Sequence, residues 1–119
     1  MDFVRIGAVL AFLGVALGAF GAHALKTHLP YFMLEVWRTA VLYQLLHALA
    51  IFALGLYAKA SGANVKFSGL FFLFGILLFS GSLYALSLTD FRPLGFLTPL
   101  GGACFLVGWG CLALKGSRL

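Results

Sequence analysis

Four stretches of the chain contain no Lys, Arg, Asp or Glu, and each is roughly 20 residues long, enough for a helix to cross the hydrocarbon of a bilayer. A backbone in lipid must satisfy its own hydrogen bonds, so each stretch is predicted to be helical. A β-barrel needs alternating apolar and polar residues, whereas runs such as 71–74 are apolar on both faces. We expect an all-α, integral membrane four-helix transmembrane bundle, one domain over residues 1–119, with helices at about 3–24, 36–58, 67–88 and 94–114.

The composition fits a chain embedded in lipid and indicates which partners it meets. Hydrophobic residues make up 63% of the 119 residues and charged residues only 9%, which is too few to cover a water-soluble domain. The net charge is +5, but the basic residues flank the apolar stretches instead of lining one face. We therefore expect contact with membrane lipids and no binding of nucleic acid.

The first apolar stretch also resembles a secretory signal peptide, because small residues near Ala22 and Ala24 follow its apolar core. Its charged start is weak, since Asp2 offsets Arg5. This weakness favours a retained span, and we expect the stretch to form the first helix of the bundle.

Two prolines and one short turn predict how the helices are joined. Pro30 stops the chain after helix 1, and the apolar residues 31–34 either lie in the interface or start helix 2 early. The turn at 59–66 is short and polar, so helices 2 and 3 are expected to be antiparallel neighbours. Pro99 falls inside the predicted fourth helix and is expected to kink it.

The distribution of basic residues predicts the orientation. One side of the membrane holds the N-terminus, the second connection and the C-terminus, and it carries more Lys and Arg than the other side. Since cytoplasmic connections are enriched in these residues, both termini are expected in the cytoplasm. The richer side has Arg5, Lys59, Lys66, Lys115 and Arg118, and the poorer side has Lys26, Arg38 and Arg92.

Glycines recur on one face of helix 1 and of helix 4. Gly14, Gly18 and Gly21 fall within about one third of the circumference of helix 1, and Gly101 and Gly108 share a stripe of helix 4. Such faces let two helices approach closely in lipid. We expect both faces to pack against helices of the same chain, with a homodimer through helix 1 as the alternative.

Helix 2 carries polar side chains on one face at membrane depth. Trp37, Tyr43, Gln44 and His47 share an arc of roughly 120°. An unpaired polar group in hydrocarbon is costly, so this face must turn inward. Two interpretations stay open: a bonded network that joins helices, or a polar binding pocket or proton-exchange site that uses His47.

Helix 3 offers polar partners for that face. Ser80 and Tyr84 lie on one side of this helix. We predict that Tyr43, Gln44 and His47 point into the protein and meet polar groups of helix 1 or helix 3, chiefly this serine and tyrosine.

Groups for catalysis are scarce in the sequence. Asp2, Glu35 and Asp90 are its only acids, and all three are predicted near the membrane surface. The histidines and cysteines lack the local spacing of a metal site. We therefore expect a protein that is not an enzyme and that has no cofactor and no metal.

Short motifs in all four predicted helices match one family. They are GAFGAH at 18–23, the Trp, Thr, Tyr, Gln and His of helix 2, FSGSLY at 79–84 and TPLGG at 98–102. With these motifs the chain resembles the domain-of-unknown-function 423 family, the YgdD-like inner-membrane proteins related to eukaryotic transmembrane protein 256. The resemblance implies a four-helix protein of the bacterial inner membrane and supplies no established activity.

The polar residues of these motifs suggest one shared interior site, for which two classes of function stay open. The first is a non-enzymatic bundle that supports a partner, as a homo-oligomer or with another membrane protein, or binds a lipid or small ligand. The alternative is a small oligomeric transporter of a small molecule or proton-coupled solute, with His23 or His47 as proton carrier. The candidate residues are His23, Trp37, Tyr43, Gln44, His47, Ser80, Ser82 and Tyr84.

Overall fold

Four helical spans make up the computed structural model, which describes residues 1–116. No strand occurs within these residues, and each span is long and apolar enough to cross a membrane, so the predicted fold class is confirmed. Arg118, which entered the orientation count, lies outside the described residues. The first two spans are single helices, α1 (Phe3–His23) and α2 (Tyr31–Ser61). The third span (Lys66–Thr89) consists of α3 (Lys66–Gly75), a π-helical turn (Ile76–Ser80) and α4 (Gly81–Thr89). The fourth span (Arg92–Lys115) consists of a 3-10 turn (Arg92–Phe96) and α5 (Leu97–Lys115).

Helix α2 is longer than the predicted second helix. It starts at Tyr31, directly after Pro30, so the apolar segment 31–34 belongs to the helix and buries Met33 and Leu34. Its 31 residues span about 46 Å at about 1.5 Å per residue, more than the hydrocarbon thickness of about 30 Å. The helix ends at Ser61, and the next residue, Gly62, has a φ of 72°, the left-handed conformation that glycine adopts readily.

The prediction that Pro99 kinks the fourth helix is wrong. The predicted fourth helix began near residue 94, but a 3-10 turn occupies Arg92–Phe96 and α5 begins only at Leu97. Pro99 therefore lies in the first turn of α5, where a backbone N–H has no partner within the helix. Its missing N–H costs no interior hydrogen bond at this position.

The two glycine faces pack within the chain, as expected. A Cβ added at Gly14, Gly18 or Gly21 of α1 would meet side chains of α2 at 2.5 to 3.2 Å. A Cβ added at Gly101 or Gly108 of α5 would meet the third span at 2.3 and 2.5 Å. α2 buries Gly14 and Gly21 of this face, whereas Gly18 is only partly covered.

Two further glycines lie directly against the backbone of the facing helix. A Cβ at Gly7 would lie 2.5 Å from the backbone nitrogen of Phe52, and one at Gly55 would lie 2.5 Å from that of Val4. Backbone atoms yield less readily than the end of a side chain. The closest contacts between the backbones of α1 and α2 are therefore at these two positions.

Candidate functional site

Gln44 joins three of the four spans at the centre of the bundle. Its side chain is only 4% exposed. Its Nε2 donates to the carbonyl oxygen of Leu10 in α1 at 2.8 Å, and its Oε1 accepts from the hydroxyl of Tyr84 in α4 at 2.6 Å. The prediction that this residue faces inward and meets polar groups of its neighbours is confirmed.

Trp37 makes the same kind of hydrogen bond to a carbonyl oxygen of α1, about two turns away from Gln44. Its indole N–H donates to the carbonyl oxygen of Leu17 at 2.8 Å, and its ring meets that of Tyr84 edge-on at 4.7 Å. The acceptors in α1 and the donors in α2 are each seven residues apart, which is about two helical turns. A Cβ at Gly21 would lie 2.5 Å from the indole nitrogen, so this glycine leaves the space that the donor occupies.

Three hydroxyl groups extend the network from the third span to both neighbours. Ser80 is fully buried and donates to the carbonyl oxygen of Ala40 in α2 at 2.7 Å. On the other side of the third span, the hydroxyls of Ser82 and Thr98 lie 2.6 Å apart. Ser80 and Tyr84 therefore serve α2, while Ser82 serves the fourth span.

His47 is bonded at both ring nitrogens, but its main partner is a residue that the sequence analysis did not select. The indole N–H of Trp109 lies 3.0 Å from Nε2, and because an indole can only donate, Nε2 accepts. Nδ1 must then carry the proton and donate to the carbonyl oxygen of Tyr43 at 2.9 Å. The ring also stacks on Phe105 at a centroid distance of 3.6 Å. His47 therefore faces inward as expected, but its polar partner outside α2 is in the fourth span instead of the first or third.

Two of the candidate residues lie outside the network. Tyr43 is 37% exposed, and its hydroxyl makes no hydrogen bond with any residue of 1–116, so the prediction that it points inward is wrong. It lies at the edge of the polar arc, whose centre is the fully buried Ala40. His23 is the exposed last residue of α1 and does not join the cluster either.

A groove opens sideways beside His47, and we call it the lateral groove. It has a volume of about 510 Å³ and lies between α2, the third span and α5. Its walls are mainly aromatic, and small residues of α5 also line it. The lining residues are Tyr43, His47, Phe79, Pro99, Gly102, Ala103, Phe105, Leu106 and Trp109.

Phe105 and Trp109 are the residues of this site that sequence reasoning missed. A usable signal was present, because the indole N–H of a tryptophan inside an apolar span needs an acceptor. Within the described residues, no three His, Cys, Asp or Glu side chains lie close enough to hold a metal ion.

Fold and network together define an integral membrane protein whose helices are joined by a central polar network. The family model described as protein of unknown function (DUF423) matches residues 17–102. The chain belongs to this family, which confirms the resemblance found in the motifs.

Relatives of this chain are also named as membrane proteins. It is 48% identical over 109 residues to the UPF0382 membrane protein YwdK of Bacillus subtilis, covering 90% of this chain and 89% of that protein. It is 44% identical over 112 residues to a UPF0382 membrane protein of Staphylococcus saprophyticus, covering 94% of this chain and 93% of that protein. No solved structure matches.

Proposed function

We propose that this protein is a non-enzymatic bundle of the bacterial inner membrane that binds a lipid-like ligand in the lateral groove. The observation that carries the proposal is a groove of about 510 Å³ with aromatic walls that opens sideways. A volume in this range is typical of sites for small ligands. The small lining residues Gly102 and Ala103 leave the space open.

The depth of the groove determines what can enter it. Tyr43 and His47 lie 12 and 16 residues after the start of α2, which is about 18 and 24 Å along a helix of about 46 Å. This is near the middle of the bilayer, where lipid tails and membrane-dissolved molecules are the available ligands. The Tyr43 hydroxyl can donate a hydrogen bond to a carbonyl or hydroxyl group of such a molecule.

Binding is better supported than the alternative of transport. The polar atoms of Gln44 and both ring nitrogens of His47 are engaged by protein groups. To carry a proton on Nε2, His47 would first have to break its bond from Trp109. An engaged network of this kind serves as a rigid back wall for a groove more readily than as a path for ions.

The test compares two substitutions in the same helix. Ala103→Trp fills the lateral groove at an exposed lining position, whereas Ala113→Trp adds the same side chain at an exposed position of α5 outside it. With a phospholipid that carries a photoreactive acyl chain, we expect wild type and Ala113→Trp to be labelled at groove residues and Ala103→Trp to lose that labelling. Equal labelling of the groove peptides in all three proteins would contradict the proposal.

A further inference from the structure

A second groove lies between α1 and α2, and it shares no residue with the lateral groove. It has a volume of about 230 Å³, with apolar walls from Gly18, Ala22, Val41 and Leu42, and among residues 1–116 Arg38 is the one charged residue that lines it. We infer that this groove is a phospholipid site, in which Arg38 holds the phosphodiester and an acyl chain lies along α1 and α2. The inference does not depend on the function of the lateral groove.

The position of Arg38 along α2 places it at headgroup level. The helix exceeds the hydrocarbon thickness by about 16 Å, or about 8 Å at each end if it is centred. Arg38 is seven residues after Tyr31, hence about 10 Å from the start of the helix. Its long side chain, which is 54% exposed, extends to the boundary between hydrocarbon and headgroups.

The charges at this point complement a zwitterionic headgroup. Nη1 of Arg38 donates to Oε1 of Glu35 at 2.6 Å, which uses one of the five N–H donors of the guanidinium group. The other donors can form a two-pronged contact with a phosphate. The Glu35 carboxylate is 49% exposed and attracts a cation beside that phosphate. A phosphate followed by a primary ammonium matches this pair, so the lipid is of the phosphatidylethanolamine class.

The small residues of α1 make room for the acyl chain. Gly18 and Ala22 place almost no side-chain volume on their wall of the groove, while Val41 and Leu42 form the apolar wall opposite. Below Arg38, the groove residues of α2 run to Leu45, about 10 Å along the helix. The first part of an acyl chain that enters below Arg38 is therefore in contact with apolar protein surface.

Arg92 provides a matched control for the test. It also pairs with a nearby acid, through a bond of 2.9 Å from its Nε to Asp90, and it is 72% exposed, but it does not line the groove. In detergent, we expect added phosphatidylethanolamine to raise the melting temperature of wild type and of Arg92→Gln equally. For Arg38→Gln, the shift relative to its own lipid-free value should fall to less than half.

Further variants test recognition of the headgroup, binding of the acyl chain and the contribution of the lateral groove separately. Glu35→Gln should abolish a preference for phosphatidylethanolamine over phosphatidylglycerol with the same acyl chains. Ala22→Trp should reduce lipid retention in native mass spectrometry, whereas Ala19→Trp, on an exposed position of α1 outside the groove, should not. In an Ala103→Trp background, where the lateral groove is filled, phosphatidylethanolamine should still raise the melting temperature, and Arg38→Gln should still reduce that shift. The inference would be overturned if phosphatidylethanolamine raised the melting temperature of Arg38→Gln as much as that of wild type. It would also be overturned if phosphatidylglycerol raised the melting temperature of wild type as much as phosphatidylethanolamine does.

Discussion

The indole N–H of Trp109 and the Nε2 atom of His47 lie 3.0 Å apart and join α5 to α2. Since the indole is a donor only, this contact decides which nitrogen of the imidazole carries the proton. His47 is therefore held as the Nδ1-protonated, neutral form, with its second bond to the carbonyl oxygen of Tyr43. The position of His47 in the sequence suggested proton exchange, but in the structure its side chain connects two helices.

Trp109→Phe tests this joint. It keeps an aromatic ring near Phe72 but leaves Nε2 of His47 without its donor, so we expect a loss of about 1–3 kcal/mol in the free energy of unfolding. In a His47→Leu background the same change should cost clearly less, because the partner is already gone. Unfolding of the four proteins in detergent measures the coupling, and additive losses would show that the two side chains are energetically independent.

The hydrogen bond between Gln44 and Tyr84 can be tested by a second double-mutant cycle. Gln44→Leu removes the bonds to Leu10 and to Tyr84 and leaves the tyrosine hydroxyl without its acceptor, so it should destabilise the bundle by about 1–3 kcal/mol. Adding Tyr84→Phe to this variant should restore part of the loss, since the orphaned hydroxyl is removed. Thermal unfolding checks the order, and a double variant less stable than Gln44→Leu would contradict it.

The glycine contacts predict a contrast between two single-methyl substitutions. Gly7→Ala places its new Cβ 2.5 Å from the backbone nitrogen of Phe52, so α1 and α2 must separate and the melting temperature should fall. A Cβ at Gly110 meets no atom of residues 1–116 within 4 Å, so Gly110→Ala should be neutral or stabilising, because alanine is the better helix former by up to about 1 kcal/mol. Similar melting temperatures for the two variants would show that the close approach at Gly7 contributes little.

The orientation remains a prediction that a reporter can test. The excess of basic residues at the N-terminus, the second connection and the C-terminus favours cytoplasmic termini. A reporter that is active only outside the cytoplasm should therefore be inactive when fused after Leu119. The same reporter inserted in the first connection, after Thr27, should be active, and the reverse pattern would invert the topology.

Asp2 supplies a pH-dependent contribution at the start of α1. The hydrogen bond from the Arg5 backbone N–H lowers the pKa of its carboxyl below the usual 3.8, and the charges of Lys59 and Arg5 act in the same direction. A lowered pKa means that the stabilisation is present above 3.8 and is lost as the pH falls through the folded-state value. Asp2→Asn should therefore melt below wild type at neutral pH, and the difference should vanish in strong acid.

Much of the interior was predictable because an unpaired polar group in hydrocarbon has a high free-energy cost. Gln44, with no water to bond to, had to meet protein groups, and its partner Tyr84 was available on the neighbouring helix. The fate of Tyr43 was not predictable in this way. It lies at the edge of the polar arc, where a small rotation of α2 decides between the interior and the lateral groove, and a phenol is tolerated in either place.

The number and order of the spans follow from the sequence alone, because four stretches free of charged residues are each long enough to cross the hydrocarbon and must be helical there. Tertiary structure decided the partners. Helical periodicity gives the face of a residue within its own helix, but it contains no information on the rotation or height of the next helix. The meeting of His47 with Trp109, 62 positions later, arises only when α2 and α5 pack at one particular height.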